Sequence, residues 1–283
     1  MIVTRRDGEL HLVSQADHGR LAGAFAAGWG NERFAAPATR DALVIAATHH
    51  DDGWVELDPV PLYHDGEGRP RHFSEVSLAD SVDAHRRSID AVYERYQLAG
   101  ALSGMHRAGL HSARWGPGGA PDTDPLAAQL VEDEERRWVA AIRHSWDFVG
   151  RRSRFEAEVW YAYEVLQAID LLALAVPMFD LGVPSGTAEL RPMRTTLASI
   201  EQPVGPRLID DAPTRVGGDY VDIRVSVQEP GRVLLRPYPF AARELELEFP
   251  VRRLADRRYD AEELSAAYEA AAVEPVRFTL AAA

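Results

Sequence analysis

The sequence predicts an α+β fold that is mainly α, with a helical body flanked by an N-terminal β-hairpin and a C-terminal antiparallel β section. Three observations carry this. Apolar residues recur at helical spacing through most of the stretch from Ala16 to Pro177. Asp7-Gly8, a favoured two-residue turn, separates IVTRR from ELHLVSQ. After Pro184 the pattern changes to period-two alternation, as in DYVDIRVSV.

Taken in order, Ile2 to Gln15 reads as the hairpin. From Ala16 to about Trp29 the spacing is helical, with Leu21, Ala24, Phe25 and Gly28 on one face. Residues 41 to 51 form a second helix, with Thr39 or Asp41 placed to cap its start. Pro59 to Pro70 is a loop rich in proline, glycine and charge. Helices follow over 78–96 and 97–110. GPGGAPDTDP, residues 116–125, is a long loop suited to act as a lid. Residues 126–148 and 154–177 are again helical. Beyond Pro184, VLLRPYPF and LELEFPVRRL read as strands after a turn at Glu229-Pro230-Gly231, and 261–273 as a last helix. The expected division is a metal-binding helical part with its hairpin (1–183) and a β-rich section packed on it (184–283).

Composition narrows the chemistry. With 283 residues, 46% of them hydrophobic, the chain can bury a large core. There is no cysteine, which excludes disulfides, iron–sulfur clusters and thiol nucleophiles. All 31 basic residues are arginine. Schiff-base chemistry and Walker-type phosphate loops, which need lysine, are therefore excluded. The net charge of −13 and the lack of a basic tract argue against nucleic acid as a partner. No apolar run is expected to span a membrane and no signal peptide is evident, so a cytoplasmic protein acting on a small molecule is expected. The alternating strands near 220–250 suit either packing on the helices or a homodimer contact.

The segment THHDDGW, residues 48–54, follows the apolar run ALVIAA. A core helix that ends in charged groups must pair them or hold a metal. His50 and Asp51 offer an imidazole nitrogen and a carboxylate from adjacent positions, which suits one ion only at a helix end or two ions bridged by the carboxylate. Further ligands are expected from His18, His85, His106 and Asp170. Asp170 lies in VLQAIDLLALAV, where a carboxylate is costly to bury without a cation. The simpler alternatives are backbone-bonded histidines and an arginine partner for Asp170. His49 and Asp52 flank the pair and are candidates to orient ligands or pass protons. Trp54 is a candidate pocket wall. Arg107 and His111, the latter near Arg114 and Trp115, are candidate substrate contacts.

The order His, His-Asp, His, His, Asp across five helices resembles the HD-domain metalloprotein superfamily. The resemblance implies an HD-type helical bundle in which His18, His50, Asp51 and Asp170 form the core metal set. His85 and His106 would be the additional pair of dinuclear members, and Asp51 would bridge. One or two divalent transition-metal ions, iron or manganese, are implied as cofactors. The whole chain also resembles an uncharacterised bacterial family of unknown function, through SQADH, HHDDGW, HRAGL and RPYPF. The implied activity is a metal-dependent hydrolase acting on a phosphoester or related small molecule. The alternatives are a di-iron oxygenase using the same six residues, and a catalytically silent metal-binding sensor or interaction module.

Overall fold

The computed structural model describes residues 1–58, 60–112, 121–147, 149–186, 189–202 and 205–283. Strands β1 (Ile2–Arg6) and β2 (Glu9–Val13) pair antiparallel across Asp7 (φ 48°) and Gly8 (φ 81°). Positive φ at both turn residues is what a two-residue hairpin demands. Ser14 then caps α1 (Gln15–Gly28) by accepting from the Asp17 N–H at 3.0 Å. Helix α2 (Arg40–His49) starts after Thr39, but neither Thr39 nor Asp41 supplies the expected side-chain cap. A 3₁₀ turn (Asp52–Glu56) follows. The Pro59–Pro70 stretch, expected as a loop, carries a short strand pair, β3 (Tyr63–His64) and β4 (Arg69–Pro70). Helices α3 (Leu78–Arg95), α4 (Gln97–His111), α5 (Pro125–Ser145) and α6 (Arg152–Met178) come next. The proposed lid at 116–125 lies outside the described residues up to 120, as do Arg114 and Trp115.

The second half departs from expectation. It contains β5 (Arg191–Pro192), β6 (Arg207–Pro213), β7 (Tyr220–Glu229), β8 (Arg232–Arg236), β9 (Glu244–Ala255), α7 (Ala261–Ala270) and β10 (Val273–Ala282). With β1 and β2 these form one eight-stranded sheet of order β1-β2-β9-β10-β8-β7-β6-β5, curled into a half-barrel. The expected helical bundle with a minor hairpin and an antiparallel β flank is therefore wrong. The sheet is mixed, because β10 runs parallel to β8 and β5 parallel to β6. The N-terminal hairpin is its edge, joined by β2 to β9 with Leu10 opposite Leu254. Local periodicity reports strands but not partners, and these partners lie at opposite ends of the chain.

Alternation along the sheet explains the layers. Ile2, Val13, Phe249 and Val251 join the main core with α1, α2 and α6. Met1, Val3, Leu10, Leu12 and Leu254 point the other way, into a smaller cluster covered by Leu264 of α7. Helix α6 packs against α1, α2, α4 and β6. A helix enclosed on all sides has no need of a polar face. By length and composition α6 could cross a membrane, contrary to the sequence expectation, but 94% of its apolar window is buried inside the protein.

The outer edge of β1 is closed by side chain and loop. The Val3 N–H donates to His72 Nδ1 at 2.9 Å, His72 Nε2–H donates to the Leu197 carbonyl at 2.9 Å, and the Arg5 N–H donates to the Ile200 carbonyl at 3.0 Å. Accepting at Nδ1 while donating from Nε2 requires a neutral ring. Burial lowers its pKa to about 4, whereas in the unfolded chain it is about 6.5. The unfolded chain therefore takes up a proton first, and His72 costs stability as pH falls from 6.5 to 4. Between pH 7 and pH 5 this amounts to about 2 kcal/mol. Urea unfolding at the two pH values is expected to show that loss in the wild type and a correspondingly smaller one in His72→Gln.

Candidate metal centre

Close helix contacts build the site. A Cβ on Gly23 would lie 2.0 Å from Thr48 Oγ1, and one on Gly19 2.7 Å from the Thr48 carbonyl oxygen. Only glycine lets α1 approach the last turn of α2 this closely. His18, beside Gly19, consequently meets His50, two residues past Thr48, with ring centroids 5.3 Å apart. The chain then turns through Gly53, whose N–H donates to Ser88 Oγ at 2.7 Å and where a Cβ would fall 2.0 Å from the Ala84 carbonyl oxygen. This contact seats Asp51 against His85 of α3. His106 comes from α4 and Asp170 from α6.

All six expected ligands are buried and brought together. His18 Nε2 lies 2.8 Å from Asp170 Oδ1 and 3.9 Å from Asp51 Oδ2. His50 Nε2 stands between the carboxylates, 3.2 Å from Asp170 Oδ1 and 3.4 Å from Asp51 Oδ2. His85 Nδ1 is 3.4 Å from Asp51 Oδ1, and His106 Nε2 is 3.8 Å from Asp170 Oδ2. Two ligand groups result, His18–His50–Asp51 and His50–His106–Asp170, each with its donor atoms within 4.8 Å of one another.

The donors fit a cation. Asp51 Oδ1 is buried with no hydrogen bond made to it, His85 Nδ1 standing 3.4 Å away, and a buried carboxylate oxygen left so costs free energy unless something else coordinates it. His50 Nδ1–H donates to the Ala47 carbonyl at 2.9 Å, and His106 Nδ1–H to Gln167 Oε1 at 2.9 Å. Each bond turns Nε2 toward the cluster, where it could serve as a metal ligand. Burial opposes a charge on His50, yet Asp51 and Asp170 outweigh it and raise its pKa to about 9. Despite its burial, Asp170 is held well below the usual carboxylate range by His106, His18 and His50. Burial pushes His106 down to about 4 and, aided by Arg107, pushes His85 well below the ordinary value. A proton on His50 and a metal ion are alternative cations for the same carboxylates, so metal binding here would release a proton.

Not every flanking candidate joins the cluster. His49 and Asp52 are half exposed and bond to each other, Nδ1 to Oδ2 at 2.7 Å. Helix geometry turns His49 away from its neighbour His50, so the catalytic role expected for this pair is not supported by their position. Trp54 is buried edge-on against the His85 ring, with centroids 5.4 Å apart. Arg107 donates from Nη2 to Ser81 Oγ at 2.9 Å and keeps a buried, unpartnered Nε. His111, one turn further along α4, faces Asp122 through Nδ1 at 3.3 Å and has a buried, unpartnered Nε2.

Two glutamines escaped the sequence reading. Gln15 Nε2 donates to Asp51 Oδ2 at 3.2 Å, while its backbone N–H donates to Asp58 Oδ2 at 2.7 Å. Gln167 orients His106. Each sits three residues before a ligand on its own helix, Gln15 before His18 and Gln167 before Asp170. A polar residue on the ligand face of an apolar helix was the available signal. A cavity of about 1010 Å³ lies elsewhere: Arg40, Asp41 and Tyr96 line it. It opens at the start of α2, roughly 15 Å along the helix from His50.

Among known families, one described as protein of unknown function (DUF3891) matches residues 1–256, and the chain belongs to it. The resemblance of the whole chain to an uncharacterised family is thereby borne out. No curated protein and no solved structure matches the chain.

If Gln167 holds the His106 tautomer, Gln167→Ala is expected to keep its circular dichroism spectrum and lose roughly 10–100-fold in metal affinity. Competition against a chromogenic chelator measures this.

Proposed function

We propose that this member of the DUF3891 family is a metal-dependent hydrolase acting on an anionic small molecule, most simply a phosphoester. The observation that carries this is the convergence of four buried histidines on two buried carboxylates. His18, His50 and Asp51 would hold one divalent ion and His50, His106 and Asp170 a second, with His85 beside Asp51 as a further donor. This ligand order is the one that links the chain to HD-domain metalloproteins, and the likeness rests on the ligand set alone. Nitrogen and carboxylate donors without thiolate suit first-row metals such as iron or manganese. When bound, such ions supply Lewis-acid activation of a water near neutral pH.

The chain's own residues complete the chemistry. Arg107 is a half-buried cation with a buried, unused Nε–H, and desolvation lowers its pKa to about 10. It supplies the cationic contact that an anionic substrate requires. His111, with Nδ1 held by Asp122 and Nε2 unpartnered, is placed to move a proton at Nε2 to a leaving group. Trp54 walls the His85 side and keeps water from it. The presence of Arg107 favours hydrolysis over the di-iron oxygenase, which needs no such clamp.

Asp51→Ala and Asp170→Ala are each expected to lose bound metal by elemental analysis, together with at least about a hundredfold of hydrolysis of bis(p-nitrophenyl) phosphate. Full metal retention in both variants would refute the site. Two irons per chain, with oxygen consumption and no phosphodiester turnover, would overturn hydrolysis in favour of oxygenation.

A further inference from the structure

A second charged cavity lies at the far end of α6, below the sheet edge, and takes no part in the centre described above. It measures about 290 Å³ and is lined by Arg6, Phe179, Ser185, Gln202, Gly205 and Arg207. Met178, the last residue of α6, also borders it. Asp170 is eight residues earlier, roughly 12 Å along the helix.

Two neighbouring arginines on β1 are treated differently. Arg5 is an ordinary paired cation, held by Glu201 and, at 2.7 Å, by Asp256. Arg6 turns inward. Its Nη2 donates to the Pro177 carbonyl at 2.6 Å, and its Nε is buried without a partner. No carboxylate among the described residues reaches it within ion-pair distance. Asp7 and Asp180 border the same cavity but stand farther off, and Asp180 Oδ1 accepts the Gly182 N–H at 2.9 Å. Burial accordingly lowers the Arg6 pKa to about 10. Such a desolvated cation is expensive unless a counter-charge arrives.

The cavity presents further donors. Arg207 is 3% exposed and already engaged, donating to the Gly205 carbonyl at 2.9 Å among other contacts, and its guanidinium lies over the Phe179 ring at 5.4 Å at the cavity wall. Stacking fixes its plane. Ser185 Oγ accepts the Val227 N–H at 2.9 Å, which leaves its O–H to donate. Two guanidinium groups and a hydroxyl around a small, partly enclosed volume are the usual provision for a phosphate or carboxylate group.

We propose that this cavity is a second ligand site, binding a small oxyanion between Arg6 and Arg207. The ligand class is a compact phosphate- or carboxylate-bearing molecule, and the site functions independently of the metal centre.

Isothermal titration with inorganic phosphate and with succinate, on wild type and Arg6→Gln at equal metal content, tests this. Any phosphate bound at the metal centre contributes equally to both proteins and cancels. Wild type is expected to bind at least one of the two anions, with Arg6→Gln weaker by tenfold or more. Arg6→Gln should melt no lower than wild type in anion-free buffer, because it removes a charge whose desolvation outweighs the pull of Asp180 and Asp7. Phosphate binding alone assigns a phosphoryl ligand, and succinate binding alone a carboxylate ligand. If Arg6→Gln misfolds by circular dichroism, Arg6→Lys is used instead; it keeps the charge without the fork and is expected to bind more weakly than wild type. Equal binding by wild type and variant, or no binding of either anion at about 10 mM, would overturn the site.

Discussion

Two carboxylates buried in a helical core, Asp51 and Asp170, are the constraint on which the rest of the structure turns. Neither could stay ionised there without cationic company. The histidines of three helices and of the turn after α2 supply it, and the fold is arranged to bring them close. Gly19 and Gly23 admit Thr48 so that His18 meets His50. Gly53 admits Ala84 so that Asp51 meets His85. These contacts involve backbone and short side chains, so the geometry of the cluster is held by parts that do not rotate.

The sheet contributes from a distance. It covers one side of α6 while α1, α2 and α4 cover the others, and this places Asp170 deep rather than at a surface. The strand that closes the sheet edge, β1, is itself sealed by His72 and the Ile200 carbonyl, an edge protected against pairing with other chains. Both ends of the chain thus meet in one sheet that backs the helices carrying the ligands.

Much of the site was legible because it violates local rules. Asp170 amid leucines and His50-Asp51 after ALVIAA are polar groups where periodicity demands apolar ones, and the structure gathers these with His18, His85 and His106. His85 shows the limit of inspecting neighbours: Arg86 and Arg87 suggest an exposed turn, yet one helix position rotates a side chain by about 100° and His85 faces inward. The same rotation carries His49 outward. Helices and the hairpin were legible from period and turn chemistry. The sheet was not. Strand β10, with Pro275 between the charges of Glu274 and Arg277, has a weak local pattern, and its parallel partner β8 is chosen by long-range packing that no window of sequence contains. The glutamines were missed for a similar reason, since Gln15 and Gln167 support ligands on other elements rather than on their own helix.

A hydrolase built this way would divide its labour between a histidine–carboxylate cluster that holds ions and an α4 face, Arg107 and His111, that meets the substrate. Such a division of labour requires the cluster to be a cation site and not a self-satisfied network of protonated histidines. Anomalous diffraction at first-row metal edges, from crystals grown without chelator, separates the two. One or two peaks bounded by His18, His50, Asp51, His106 and Asp170 are expected. Density showing only His–Asp hydrogen bonds at this position, unchanged after soaking in manganese or iron(II), would contradict it.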